Sequence, residues 1–204
     1  MPRQCRRFVE GLSVHVIHRG HNRASIFYED SDYEAFLIML AAVSKRRGVA
    51  IHGFVLMTTH VHFLVTPTTS TSLPDTMKAL GVRYVHYFNR KYERLGTLWS
   101  HRHRAILIED EKRLLTCLRY IEQNPVEAGM VIKPDDYRWS SYRALGMGEP
   151  CEWLVPHPLY MALGHSNPER QAAYRALCHK PLTIAEDTEL QLAAPIVLRS
   201  SVPG

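Results

Sequence analysis

The sharpest chemical signal in the chain is His60-Val61-His62. Residues two apart in a β-strand project to the same face, so both imidazoles would stand side by side, with Val61 turned away alongside Phe63 and Val65. Neutral imidazole is a common metal ligand, and two parallel rings can share one divalent ion. A complete site needs a further donor, such as a carboxylate, an amide or a third histidine. Without one, the pair reads as two histidines on a sheet face. A second signal is Tyr120-Ile121-Glu122-Gln123-Asn124-Pro125. Tyr120 and Asn124 are four apart and share a helix face, although a core tyrosine and a helix stop before Pro125 would look the same. Glu122 and Glu127 fall off that face and are expected to be solvated.

Two basic segments could bind phosphate. In Arg19-Gly20-His21-Asn22-Arg23, Gly20 allows a tight turn, while Arg19, Asn22 and Arg23 could hold a phosphate or a base edge. An ordinary polar turn has the same composition. In Ser100-His101-Arg102-His103-Arg104, the cations alternate, so Arg102 and Arg104 could form a phosphate track or a solvated strand face. Trp139-Ser140-Ser141-Tyr142 could stack on bases, but burial against the core is the simpler reading.

These residues need a scaffold. Ser13 to His18 alternates Val14 and Val16 against His15 and Ile17 and predicts a strand ending at Gly20. Apolar spacing from Phe36 to Val43 predicts a helix over 32–47, with Asp30, Ser31 or Asp32 as N-cap and Gly48 as stop. Two strands follow, 49–57 and 60–66, joined at Thr58-Thr59 and closed by Pro67. A Thr/Ser loop leads to a helix from Leu73 to about Arg94, then to a strand over about 99–108 and a helix over about 110–126. The order β-α-β-β-α-β-α is an α+β, ferredoxin-like split βαβ pattern, with two helices on one face of an antiparallel sheet. The other face is left for the third helix or a ligand. Residues 1–150 are expected to form this domain. Residues 151–204 are expected to add a helical extension, loosely ordered from about Lys180.

Composition narrows the classes. The 204 residues are 46% hydrophobic and 22% charged, which excludes a collagen-like, coiled-coil or wholly disordered chain. The net charge is +5. It is uneven: residues 1–150 hold 21 Lys and Arg against 15 Asp and Glu, and residues 151–204 hold 4 against 5. That balance favours a polyanionic partner without requiring one. Cys5, Cys117, Cys151 and Cys178 form no CxxC pair, so reduced thiols are expected rather than a zinc knuckle or a disulfide framework. No run approaches the roughly 18 to 20 apolar residues of a membrane span, and the basic N-terminus lacks a signal-peptide core. A cytoplasmic protein without membrane association is the expectation.

Taken together, four blocks resemble the HUH single-strand endonucleases. The closest likeness is to the single-tyrosine, IS200-like transposases and their REP-associated tyrosine transposase branch. The blocks are Arg19-Gly20-His21-Asn22-Arg23, Gly53 to His62, Tyr120 to Val126 with Ala128-Gly129, and Trp139-Ser140-Ser141-Tyr142. The likeness covers roughly residues 10–145. It implies a ferredoxin-like fold, with His60 and His62 as paired metal ligands and Tyr120 as nucleophile. Asn124 stands where the family places a further polar ligand, often Gln.

The implied reaction is cleavage and rejoining of single-stranded DNA beside a hairpin, like a REP palindrome, through a 5′-phosphotyrosine and with Mg²⁺ or Mn²⁺. Tyr84, Tyr87, Trp99 and Trp139 could support strand stacking. Both monomers and homodimers occur in the family. Two other readings remain open here: a catalytically inactive DNA- or RNA-hairpin binding module on the same fold, and an unrelated metal-dependent phosphoesterase that would not need Tyr120.

Overall fold

Val14 and Val16 are fully buried and anchor β1 (Val14–Arg19) at the centre of the sheet. A computed structural model describes residues 10–192 of the chain. After β1 come α1 (Asp30–Arg47), β2 (Val49–Met57), β3 (His60–Pro67), α2 (Ser72–Lys91) and β4 (Arg104–Leu107). The strands pair antiparallel in the order β2-β3-β1-β4, which is the ferredoxin-like arrangement expected from the element order. Gly48, at φ 67°, ends α1 in the left-handed region that glycine enters without a Cβ penalty. The start of α1 differs from expectation: Glu29 is its N-cap, in a reciprocal capping box with Asp32.

Helices α1 and α2 cover one sheet face. The register sets Val14, Val16, Val61, Phe63 and Val65 on that side. Phe36 of α1 stacks at 6.2 Å on Phe63 and meets Tyr84 of α2 edge-on at 4.9 Å. The Tyr84 hydroxyl donates to Ile26 O at 2.6 Å, so the ring is buried without leaving its polar tip unpaired.

The opposite face receives α3 (Glu111–Glu127), capped by the Asp110 carboxylate accepting from Arg113 N. Gly53 of β2 lies close under α3: a Cβ there would lie 2.6 Å from Leu118 Cδ2. The free edge of β2 is covered by residues 139–141. Leu56 N donates to Trp139 O, and Ser141 N donates to Phe54 O, both at 2.9 Å. The Trp-Ser-Ser-Tyr block therefore closes a sheet edge that would otherwise expose unpaired backbone groups.

Beyond residue 141 lie α4 (Tyr142–Met147), α5 (Pro158–Met161), α6 (Asn167–Cys178) and α7 (Ile184–Leu192). Of these, α5, α6 and α7 pack on α3, and α4 packs on α6. Gln123 Nε2 donates to both Cys178 O and Lys180 O at 2.6 Å, and Arg119 pairs with Glu186 at 2.6 Å. The segment expected to be loose from Lys180 thus contains a helix docked on α3, and residues 193–204 lie outside the described part. Two further boundaries differ from expectation. The fourth strand begins at Arg104, because residues 98–103 form a loop held to Arg19 O by Ser100 N. Helix α2 ends at Lys91, ahead of Glu93 at φ 49°.

Candidate active site

Antiparallel pairing of β1 with β3 sets Arg19 opposite His60, Ile17 opposite His62 and His15 opposite Leu64, all on the face that α3 crosses. The His60 and His62 rings lie 4.9 Å apart, as the two-residue spacing predicts. Tyr120 descends from α3 with its ring centroid 5.6 Å from that of His62 and 5.6 Å from that of His15. Asn124 follows one helical turn later. A cleft of about 470 Å³ is lined by His60, His62, Tyr120, Asn124, Arg19, Arg102 and Arg104, together with Ser100 and His101 from the loop before β4.

Not every candidate reaches it. Asn22 and Arg23 sit on an exposed 3-10 turn (His21–Arg23) outside this cleft, with φ of 51° and 57°. Gly20 makes that turn possible, since a Cβ there would lie 2.4 Å from Ala24 O. Of the aromatics considered for base stacking, Tyr84, Trp99 and Trp139 are buried. Their faces are taken by neighbours: His18 stacks on Trp99 at 4.0 Å, and Tyr33 on Trp139 at 4.6 Å. Glu122, expected to be solvated, is fully buried, while Glu127 is exposed as expected.

The imidazoles are held neutral. Burial first, and then Arg19, lowers His60 to about 4. Burial, His15 and His60 push His62 well below its ordinary value. Burial together with the Arg104 and Arg113 charges takes His15 down to about 3. Neutral imidazole is the form that binds a cation. Tyr120 is raised, chiefly by burial and then by Asp187 and Cys117, against the opposing effects of Asn124 and Arg19. It therefore rests as a phenol at neutral pH.

A divalent cation is implied by the family likeness, and the donor atoms suit one in part. His62 Nε2 is buried with no hydrogen-bond partner among the described residues, a condition that a bound cation would relieve. Asn124 turns its Nδ2 to Tyr120 O at 2.7 Å, which leaves its oxygen as the atom able to reach a cation. No cluster of three or more His, Cys, Asp or Glu suited to a metal occurs among the described residues. The groups here that could hold a cation are two imidazoles and an amide.

The sequence reading gave His15 no site role. His15 is fully buried and its Nε2 lies 2.9 Å from His62 Nδ1, with the rings stacked at 5.2 Å. Alternation places it on the Ile17 face of β1. Only the pairing of β1 beside β3 brings that face against His62.

A basic cleft on the open face of a ferredoxin-like sheet, with paired histidines facing a helical tyrosine, is an arrangement suited to phosphodiester chemistry. The chain belongs to the IS200-like transposases: the family described as "Transposase IS200 like" matches residues 8–124. Among solved structures, the fold is similar to a REP-associated tyrosine transposase bound to a REP hairpin. That match has a TM-score of 0.57 and 18% identity and covers 78% of this chain and 93% of the other. A transposase-like protein from Deinococcus radiodurans R1 matches with a TM-score of 0.42 and 20% identity, covering 59% and 96%. No curated protein matches the chain. Among the described residues, no helix is long and apolar enough to cross a membrane.

Proposed function

We propose that this chain cuts and rejoins single-stranded, hairpin-containing DNA with Tyr120 as nucleophile. The observation that carries the reading is the meeting of Tyr120 with His60 and His62 in a cleft edged by Arg19, Arg102 and Arg104. The Tyr120 oxygen attacks phosphorus in line, the 3′-oxygen leaves, and a 5′-phosphotyrosyl ester is formed. The phenol proton is lost and the leaving oxygen gains one. The ester conserves the phosphodiester bond, so a 3′-hydroxyl can reverse the step and join strands without ATP.

A free tyrosine is a weak nucleophile because its pKa is about 10, and burial raises Tyr120 further. Arg19 opposes that rise and would also hold the phosphate. His60, His62 and Asn124 would hold Mg²⁺ or Mn²⁺, which when bound supplies Lewis-acid stabilisation of phosphate charge. Arg102 and Arg104 would track the strand on the β4 side, and Asn22 and Arg23 would contact it outside the cleft. The protein of similar fold is bound to a REP hairpin, which supports a hairpin substrate for this one.

The test is a labelled library of single-stranded hairpins, incubated with Mg²⁺ or Mn²⁺ and run on a denaturing protein gel. Label migrating with wild type, but with neither Tyr120→Phe nor the His60→Ala/His62→Ala double variant, is the expected result. DNA that is retarded on native gels yet never becomes covalent would replace this reading with hairpin binding alone.

A further inference from the structure

We propose that His15 is a positioning residue that fixes the tautomer of His62, leaving His62 Nε2 as a lone pair for a cation. The assignment rests on the metal-dependent reading above. The 2.9 Å separation of His15 Nε2 and His62 Nδ1 is a hydrogen bond between two imidazoles, and it holds one proton. If the proton belongs to His62 Nδ1, the remaining nitrogen of that ring, Nε2, is unprotonated and can ligate. If it belongs to His15, the neutral His62 carries its own proton on Nε2 and has no lone pair there. Only the first arrangement is compatible with His62 as a ligand. It makes His15 Nε2 the acceptor and puts the His15 proton on Nδ1.

Geometry keeps the pair in place. His15 stands in the middle strand, paired with Leu64 on one side and Ile106 on the other, and is fully buried. Its ring lies within 23° of parallel to His62, and the Tyr120 ring closes over both edge-on. The other ring nitrogen, His15 Nδ1, is buried with no hydrogen-bond partner among the described residues. A metal-bound histidine usually donates its second N–H to a carboxylate, a carbonyl or water, and loss of that partner weakens metal binding about 10- to 100-fold. Here an imidazole takes that place. Unlike a carboxylate, it adds no negative charge beside the nucleophile.

The test measures Mn²⁺ binding to the full chain without DNA, by electron paramagnetic resonance or calorimetry. His15→Phe keeps a planar ring but has no acceptor and is expected to weaken Mn²⁺ about 10- to 100-fold. His15→Gln can present its amide oxygen near the Nε2 position and is expected to restore most of the affinity. In parallel, ¹⁵N spectra of the metal-free wild type should show His62 protonated at Nδ1, which decides the matter even if His15→Phe fails to fold. Equal Mn²⁺ affinity in folded His15→Phe, or a His62 proton on Nε2, would overturn the role of His15 while leaving the metal reading intact. A wild type that binds no Mn²⁺ would overturn both.

Discussion

Glu122 Oε1 accepts a hydrogen bond from Ser141 Oγ at 2.5 Å, and the same oxygen accepts from the Tyr174 hydroxyl at 3.0 Å. Glu122 lies two residues after Tyr120, so it points away from the cleft, into the seam between α3 and the segments behind it. Its second oxygen is buried without a hydrogen-bond partner among the described residues. Burial pushes the carboxyl up to about 7 despite its hydroxyl donors. The protein therefore holds this group in the protonated form well above the ordinary range.

That shift sets the sign of a pH effect. Between roughly pH 4.3, the value in an unfolded chain, and about 7, the folded state holds a proton that the unfolded state has released. The contribution of Glu122 is fully present below that window and is lost as pH rises through it. The loss is on the order of 3–4 kcal/mol. Glu122→Gln should remove the pH-dependent part, so urea unfolding at pH 5, 6, 7 and 8 should give a difference between variant and wild type that grows with pH. A constant difference would reject the assignment.

Gly53→Val tests the contact between the sheet and α3, the helix that carries the proposed nucleophile. Even a Cβ would reach 2.6 Å from Leu118 Cδ2 and 3.4 Å from Ser141 Oγ, and Leu118 is fully buried in the core. Overpacking of this kind costs about 1–3 kcal/mol. Since α3 must shift, covalent adduct formation should fall more than hairpin affinity. Thermal melts and gel quantification would detect both changes.

Arg19 and Arg23 should differ in their salt response. Arg19 faces the cleft opposite His60, whereas Arg23 lies outside it. Arg19→Ala is expected to reduce the slope of log K against log salt by about 0.7 on single strands, with a loss of cleavage rate. Arg23→Ala should lower affinity without a matching loss of rate for bound DNA.

The cleavage rate at saturating divalent metal should rise with pH across 6 to 9 without levelling. Burial raises Tyr120 from its ordinary value near 10, so phenolate stays scarce over that whole range. A plateau beginning near pH 7 would mean that the nucleophile is already ionised there.

Much of this arrangement was legible in the residues because it depends on short-range periodicity. Two-residue spacing gave the His60/His62 face, four-residue spacing gave Tyr120 with Asn124, and Gly48 and Pro67 marked real ends. What escaped depends on long-range pairing. His15 joins the site because β1 lies between β3 and β4, an order no local pattern states. Glu122 is buried because Ser141 and Tyr174, 19 and 52 residues later, supply its donors. Trp99 and Trp139 looked suited to bases by type, yet their ring faces are occupied by His18 and Tyr33. Helix α7 was hidden because it shows no apolar stripe: it is held by the Arg119–Glu186 ion pair and by one buried leucine, Leu190.

The anchoring of α3 from behind bears on how many molecules are needed for one cut. Gln123 is bonded to Cys178 O and Lys180 O, Arg119 to Glu186, and Glu122 to Ser141 and Tyr174. Handing this helix to a second copy would strand a buried carboxyl and break every one of those bonds in the donor. The tyrosine and the histidines of one catalytic event should therefore come from the same polypeptide. Mixing Tyr120→Phe protein with His60→Ala/His62→Ala protein should yield no adduct at any ratio, because two broken copies would not make a whole.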